Sequence, residues 1–348
     1  MRGIVVTPGV GQSVRLVGDL PEPPVEEGPV LVEALSVGVC GTDREIIAGE
    51  YGSAPAGHEV LVLGHESLGR VVSDATGTFA VGDLVAGIVR QPDPVPCVNC
   101  AAGEWDMCRN GRYTEHGIKG LDGFARERWR SVPDHLVLLD ESLRGTGMLL
   151  EPASVVAKGW EHIGRIGARA HFAPRVALIA GAGPIGLLAA LMARQRGLET
   201  HVLDRVPDGP KPDLVAALGA TYHTGKVCDV GFEPDIIVEC TGVAAVVMDS
   251  MEVIGPDGIV CLTGVSAPGK HLLVDGGAIN RALVLENNVV FGTVNANRRH
   301  WQLAAGALLA ADPHWLAGLI SRRVPLADFA DAYLARPDDV KVVLDLAA

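Results

Sequence analysis

The chain has 348 residues, 48% hydrophobic and 20% charged, which suffices for two packed domains and gives no sign of disorder. Its net charge of −13, with no cluster of Lys and Arg, argues against nucleic acid or an anionic membrane as a partner. No apolar run approaches a membrane span, Met1–Gly11 reads as an opening strand rather than a signal peptide, and an odd count of seven cysteines fits a reducing cytoplasm.

From Met1 to about Leu139, short runs of Val, Ile and Leu such as Val30–Glu33 and Ser67–Val72 alternate with Gly, Pro and Asp, so this part is strand-rich. From about Arg175 the texture changes. Val176–Ala180 is a continuous apolar run suited to a parallel strand buried on both faces, and Leu187–Arg196 follows as a helix. His201–Leu203, Ile236–Val238 and Ile259–Leu262 are further strands and Leu214–Leu218 a helix, an alternation that builds a doubly wound parallel sheet. After Gly292 come a helix at His300–Ala311 and a closing strand at Val340–Leu344, a tail too small to stand alone and expected to return to the first domain.

Gly181-Ala182-Gly183-Pro184-Ile185-Gly186 is a Gly-x-Gly-x-x-Gly motif directly after the buried strand and at the start of a helix. Gly181 permits the tight turn, Gly183 lets backbone approach a pyrophosphate, and Gly186 lets helix and strand pack. The helix N-terminus opened by Pro184 supplies free N–H groups from Ile185 onward. Asp204 ends the next strand roughly twenty positions on, where its carboxylate would accept both ribose hydroxyls of NAD and repel the extra phosphate of NADP. Arg205 follows and could instead stack on adenine or pair with that phosphate, so NADP stays open.

In the strand-rich half, Cys40-Gly41-Thr42-Asp43 and Gly64-His65-Glu66 supply a thiolate and an imidazole. A catalytic zinc takes three protein ligands and keeps one position open. Cys40, His65 and a later carboxylate meet that count, with Glu151, just before Pro152, the best candidate.

With these motifs in this order and spacing, the chain resembles the zinc-dependent medium-chain dehydrogenase family along its whole length. Cys40–Glu45, Val62–Glu66, Asp122-Gly123-Phe124 and Gly292–Asn295 are similar to the microbial glucose (aldose) 1-dehydrogenase branch. The resemblance implies a GroES-like catalytic domain over 1–158 and 293–348, a Rossmann domain over 159–292, and a homodimer or homotetramer. It implies zinc on Cys40 and His65, Glu66 ligating or bonding through water, and Glu151 as an exchangeable ligand. Glu115, Glu151 and His300 would contact sugar hydroxyls, and Asn295 would sit near the nicotinamide. Val89 stands where the branch has a sugar-binding asparagine. Zinc would lower the pKa of the substrate hydroxyl, and Thr42 could pass its proton to solvent.

The family often carries a structural zinc on four cysteines where this chain has Cys97, Cys100 and Cys108. The first cysteine is missing here, and Asp93 is expected to complete a tetrahedral site. Cys228, Cys240 and Cys261 read as core residues. Two other functions fit parts of the pattern: a polyol or secondary-alcohol dehydrogenase, and a non-catalytic dinucleotide-binding protein. The low aromatic content of 4% argues against an aliphatic-alcohol pocket, and an open metal site argues against a binding module.

Overall fold

Alternation in Val30–Val39 buries every second side chain at its start and nearly all of them near Val39, so the strand passes from the surface into the interior. The structure is a computed structural model that describes residues 1–266, 269 and 271–347. The chain divides into two compact units, one formed by Met1–Ser154 with Asn295–Ala348 and the other by Val155–Val294.

In the first unit, Val30–Val39 runs through a seven-stranded sheet in the order Leu136–Leu139, Leu84–Gly87, Glu66–Asp74, Val30–Val39, Lys341–Asp345, Ile320–Pro325, with Arg128–Ser131 also pairing with Val30–Val39. The strand expected at Val340–Leu344 forms one residue later, antiparallel to Val30–Val39 and parallel to Ile320–Pro325. Here the tail does join the strand-rich part. Two smaller sheets complete the unit, one from Arg15–Val17, Gly3–Val6 and Leu61–Val62, the other from Arg90–Gln91, Thr114–His116 and Gly120–Leu121.

The second unit is a six-stranded parallel sheet in the order Thr221–His223, Glu199–Leu203, Val176–Ala180, Ile236–Glu239, Ile259–Leu262, Val289–Gly292. Numbered within the unit this is 3-2-1-4-5-6, the doubly wound dinucleotide-binding order, which reverses between Val176–Ala180 and Ile236–Glu239. Sequence periodicity finds four of these strands and misses Thr221–His223 and Val289–Gly292, the two edges, where burial is only partial. The helix after the glycine motif spans Pro184–Gln195 and the next Pro210–Ala217, each starting earlier than its apolar pattern because proline occupies the first turn. The helix placed at His300–Ala311 spans Arg298–Leu309, begun by the Asn297 side chain. Among the three cysteines read as core, Cys261 is buried and Cys240 partly so, but Cys228 is exposed in a short turn at Val227–Asp229. The apolar neighbour Val227 fills the interior position instead.

Candidate active site

Cys40 ends the Val30–Val39 strand and caps the helix Gly41–Ala48, while His65 and Glu66 open the neighbouring strand, with Glu66 paired to Gly38. The strand pair therefore carries Cys40, His65 and Glu66 to one place, where their ligand atoms lie within 4.8 Å of one another. Gly64 has φ +91°, a conformation that lets the chain turn into His65. At Gly38 a Cβ would collide with Glu66 Oε2, so glycine makes the room for that carboxylate.

Asp43, which the sequence shows only as a neighbour of Cys40, braces two members of this cluster. Its Oδ2 accepts the Cys40 N–H at 2.8 Å, and its Oδ1 stands 3.3 Å from His65 Nδ1, leaving Nε2 as the ligand atom. Burial alone would push the His65 imidazole down, but the Asp43 carboxylate and Cys40 hold it well above its ordinary value. Thr42 Oγ1 lies 4.0 Å from Cys40 Sγ. A second unforeseen residue is Lys341, whose Nζ is 2.6 Å from both oxygens of Glu66, with both side chains buried.

Glu151 lies in the first turn of the helix Leu150–Gly167 and is not among the residues gathered within 4.8 Å. Burial raises its carboxyl to about 7; Glu66 and Glu115 add to the rise, while His65 and Lys341 oppose it. Glu115 is buried on the strand Thr114–His116, opposite Arg90. Its Oε1 accepts from Arg90 Nε at 3.0 Å and from Asn295 Nδ2 at 2.9 Å, and Oε2 has no protein donor among the described residues. Asn295 thus bonds to the carboxylate expected to meet sugar. His300 is wholly buried; its Nδ1 accepts the Asn297 N–H at 3.1 Å, and Asn297 in turn donates to Asp106 Oδ1 at 2.9 Å. Val89 is buried and offers only its carbonyl, to His116 N–H.

In the lobe, Cys97, Cys100 and Cys108 also bring their sulfurs within 4.8 Å, with Cys97 and Cys100 3.6 Å apart. Asp93 does not join them. Its carboxylate accepts Val95 N–H at 2.8 Å and Asn110 Nδ2 at 2.9 Å, which spends it on the local turn.

The glycine motif in the second unit has the expected geometry. Gly181 adopts φ +106°, and a Cβ on Gly186 would collide with the Gly181 carbonyl oxygen. Around Gly183 there is open space, and the helix begins immediately after it. Asp204 accepts Ala182 N–H at 2.7 Å and Lys211 Nζ at 3.3 Å, so it already steadies this loop and carries a cation.

Comparison with known proteins agrees with these features. Residues 26–141 match the alcohol dehydrogenase GroES-like domain, and 144–346 match the glucose dehydrogenase C-terminus. The chain belongs to the glucose dehydrogenase branch of the zinc-dependent medium-chain dehydrogenases. It is 40% identical to glucose 1-dehydrogenase 2 of Vulcanisaeta moutnovskia and 41% identical to glucose 1-dehydrogenase of Thermoproteus tenax, covering 99% of each chain in both cases. Haloferax mediterranei glucose dehydrogenase, solved in complex with NADP, Zn and gluconolactone, superposes with a TM-score of 0.93 at 31% identity over 100% of both chains. The GroES-like plus Rossmann architecture is that of the family. Within this family a zinc fits the Cys40 cluster on its chemistry: a half-buried thiol beside a buried imidazole and a buried carboxylate, braced by Asp43, which accepts the Cys40 N–H and stands beside His65.

Proposed function

We propose that this family member is a zinc-dependent dehydrogenase that moves a hydride from C1 of a glucose-like aldose to NAD(P), releasing the lactone. The observation that carries it is the gathering of Cys40, His65 and Glu66 in a chain matching glucose dehydrogenases over nearly its full length. Cys40 and His65 hold the metal, with Glu66 and Glu151 as further acidic groups at the site. When bound, the metal supplies Lewis acidity toward the C1 hydroxyl and the nicotinamide supplies the hydride acceptor.

The chain's own residues do the rest. Asp43 fixes the imidazole of His65, and Thr42 relays the departing proton of the C1 hydroxyl, accepting it at Oγ1 while its own hydroxyl proton passes on to solvent. Glu151, held near 7, changes its protonation state close to neutral pH and can take a sugar proton there. Glu115 offers its second oxygen to a sugar hydroxyl while Arg90 and Asn295 hold the first. His300, fixed by Asn297, completes the sugar set. Residues 1–158 with 293–348 serve as the catalytic domain and 159–292 as the cofactor domain. Gly181, Gly183, Pro184, Ile185 and Gly186 receive the pyrophosphate. Asp204 favours NAD, whereas Lys211 beside it, with Arg205, supplies positive charge that lets NADP compete. Cys97, Cys100 and Cys108 form the lobe's metal site.

The chain works as a homodimer or homotetramer in the cytoplasm. Exposed Leu272, Leu273, Val284 and Leu285, together with the open edge of Val289–Gly292, support the association, and seven unpaired cysteines support the compartment. No helix among the described residues is long and apolar enough to cross a membrane.

A panel of aldoses, polyols and aliphatic alcohols assayed with NAD and NADP tests this function, the expected result being highest kcat/KM on an aldose. Faster oxidation of an aliphatic alcohol than of every aldose would overturn it.

A further inference from the structure

A closed ring of hydrogen bonds runs through the first unit and ties one expected sugar contact to the other. Glu115 Oε1 accepts from Arg90 Nε at 3.0 Å, and Arg90 Nη1 donates onward to the Asp106 carbonyl at 3.2 Å. The Asp106 side chain, wholly buried, accepts Asn297 Nδ2 on Oδ1 at 2.9 Å. Two residues back along the chain, Asn295 Nδ2 donates to Glu115 Oε1 at 2.9 Å and closes the ring. His300 is fastened to it, because its Nδ1 accepts the Asn297 N–H at 3.1 Å and lies 4.0 Å from Asp106 Oδ2. Arg90, Asp106, Glu115, Asn297 and His300 are each 5% exposed or less, so bulk water competes little for these bonds.

Asp106 enters this ring from the cysteine lobe. It sits in the turn Trp105–Met107, which leads directly into Cys108, and Asn99 Nδ2 ties that turn to the lobe by donating to the Met107 carbonyl at 2.7 Å. Beside it, Glu104 Oε2 accepts Arg299 Nη2 at 2.9 Å, so the lobe grips the start of the helix Arg298–Leu309 at a second point. From the reading of Glu115 and His300 as sugar contacts, we infer that Asp106 is a positioning residue for the sugar. Its carbonyl steadies the Arg90 arm that holds Glu115, and its carboxylate steadies the Asn297 arm that holds His300. The lobe thereby sets the spacing of the two contacts and, with it, the affinity for the aldose. Asp106 acts on sugar binding in the ground state and the transition state alike, so its loss raises KM and leaves kcat near the parental value.

The test is steady-state kinetics of the full-length, zinc-loaded enzyme on its best aldose with NAD(P). Asp106→Ala is expected to raise the aldose KM by about tenfold or more, with kcat within about threefold and cofactor KM within about twofold of the parent. Asp106→Asn keeps an acceptor for Asn297 Nδ2 and is expected to hold the aldose KM within about threefold. Asn297→Ser keeps a helix-capping oxygen but removes the donor to Asp106, and is expected to match the rise of Asp106→Ala. The double variant Asp106→Ala/Asn297→Ser is expected to exceed the larger single effect by less than about threefold, because both act through one bond. A folded Asp106→Ala with a smaller rise in aldose KM overturns the inference, as does an equal rise in cofactor KM or an Asp106→Asn as impaired as Asp106→Ala. Asn297→Ser decides alone if Asp106→Ala fails to fold. Glu115→Gln keeps the oxygen that faces Arg90 and replaces the one offered to the sugar, so its aldose KM should rise by about tenfold. No rise there overturns the sugar contacts of the proposed function together with this inference, whereas a rise in Glu115→Gln without one in Asp106→Ala overturns the inference only.

Discussion

Two clusters in the first unit can take a soft or borderline metal ion, and they are built in opposite ways. Cys97, Cys100 and Cys108 come from one short segment, are partly exposed, and among the described residues gather no fourth ligand, since Asp93 is occupied by Val95 and Asn110. Cys40, His65 and Glu66 come from two strands, have two buried members, and are braced by Asp43 and by Lys341 from a distant strand. The lobe is a site that local chain geometry assembles. The inner cluster is one that the sheet assembles, and a polar shell of matched charges holds it. Ligand spacing therefore says little about how firmly a site is held; the partners behind the ligands do.

The largest expected contrast is in catalysis. Cys40→Ala or His65→Ala should lower kcat/KM for an aldose on the order of a thousandfold, the scale of losing a Lewis acid worth several kcal/mol. Cys97→Ser should lower it less than about tenfold, because the lobe reaches the sugar set only indirectly, through Asp106 bonded to Arg90 and Asn297. Equal losses in steady-state assays would erase the distinction.

Next in size is thiol reactivity after metal removal. Hydrogen bonds from the Arg109 and Cys100 backbone lower the Cys97 thiol to about 6, whereas burial, with bonds to Cys108 and Cys97, raises Cys100 to about 11. A lowered thiol is half ionised near pH 6, so alkylation of Cys97 should climb between pH 5 and 7 and then level off. At pH 7 it should outpace Cys100 by roughly a hundredfold, read by peptide mass spectrometry. A Cys100 that reacts first would reverse the assignment.

Backbone substitutions give the smallest effects and separate the two constructions. Gly38→Ala places a methyl group against Glu66 Oε2 in a packed sheet and should cost about 1–3 kcal/mol in urea unfolding. Gly103→Ala, in the lobe, meets open space and only the strain of φ +81°, so about 1 kcal/mol is expected. A larger loss in the lobe would show that it, too, is held by its surroundings.

How much of this was legible in the sequence depended on distance along the chain. Cys40, His65 and the glycine motif stand in local patterns whose chemistry is fixed by neighbours, and the parallel strands announced themselves as unbroken apolar runs. Asp43 was within reach of the same logic, since a carboxylate three residues after a helix-capping position faces back toward it. Lys341, Arg90 and Asp106 had no such signal: each acquires its partner through sheet pairing or loop docking, and alone looks like an ordinary surface residue. The edge strands Thr221–His223 and Val289–Gly292 escaped because partial burial weakens the pattern. Asp93 failed as a fourth ligand for the converse reason, a backbone turn and Asn110 claiming an oxygen that spacing alone left free.

The strand Lys341–Asp345 has a consequence for biosynthesis. Until residue 341 has been made, Glu66 lacks the ammonium that neutralises it in the finished sheet. Closure of that buried ion pair is therefore a late event, which waits for the strand to dock between Val30–Val39 and Ile320–Pro325.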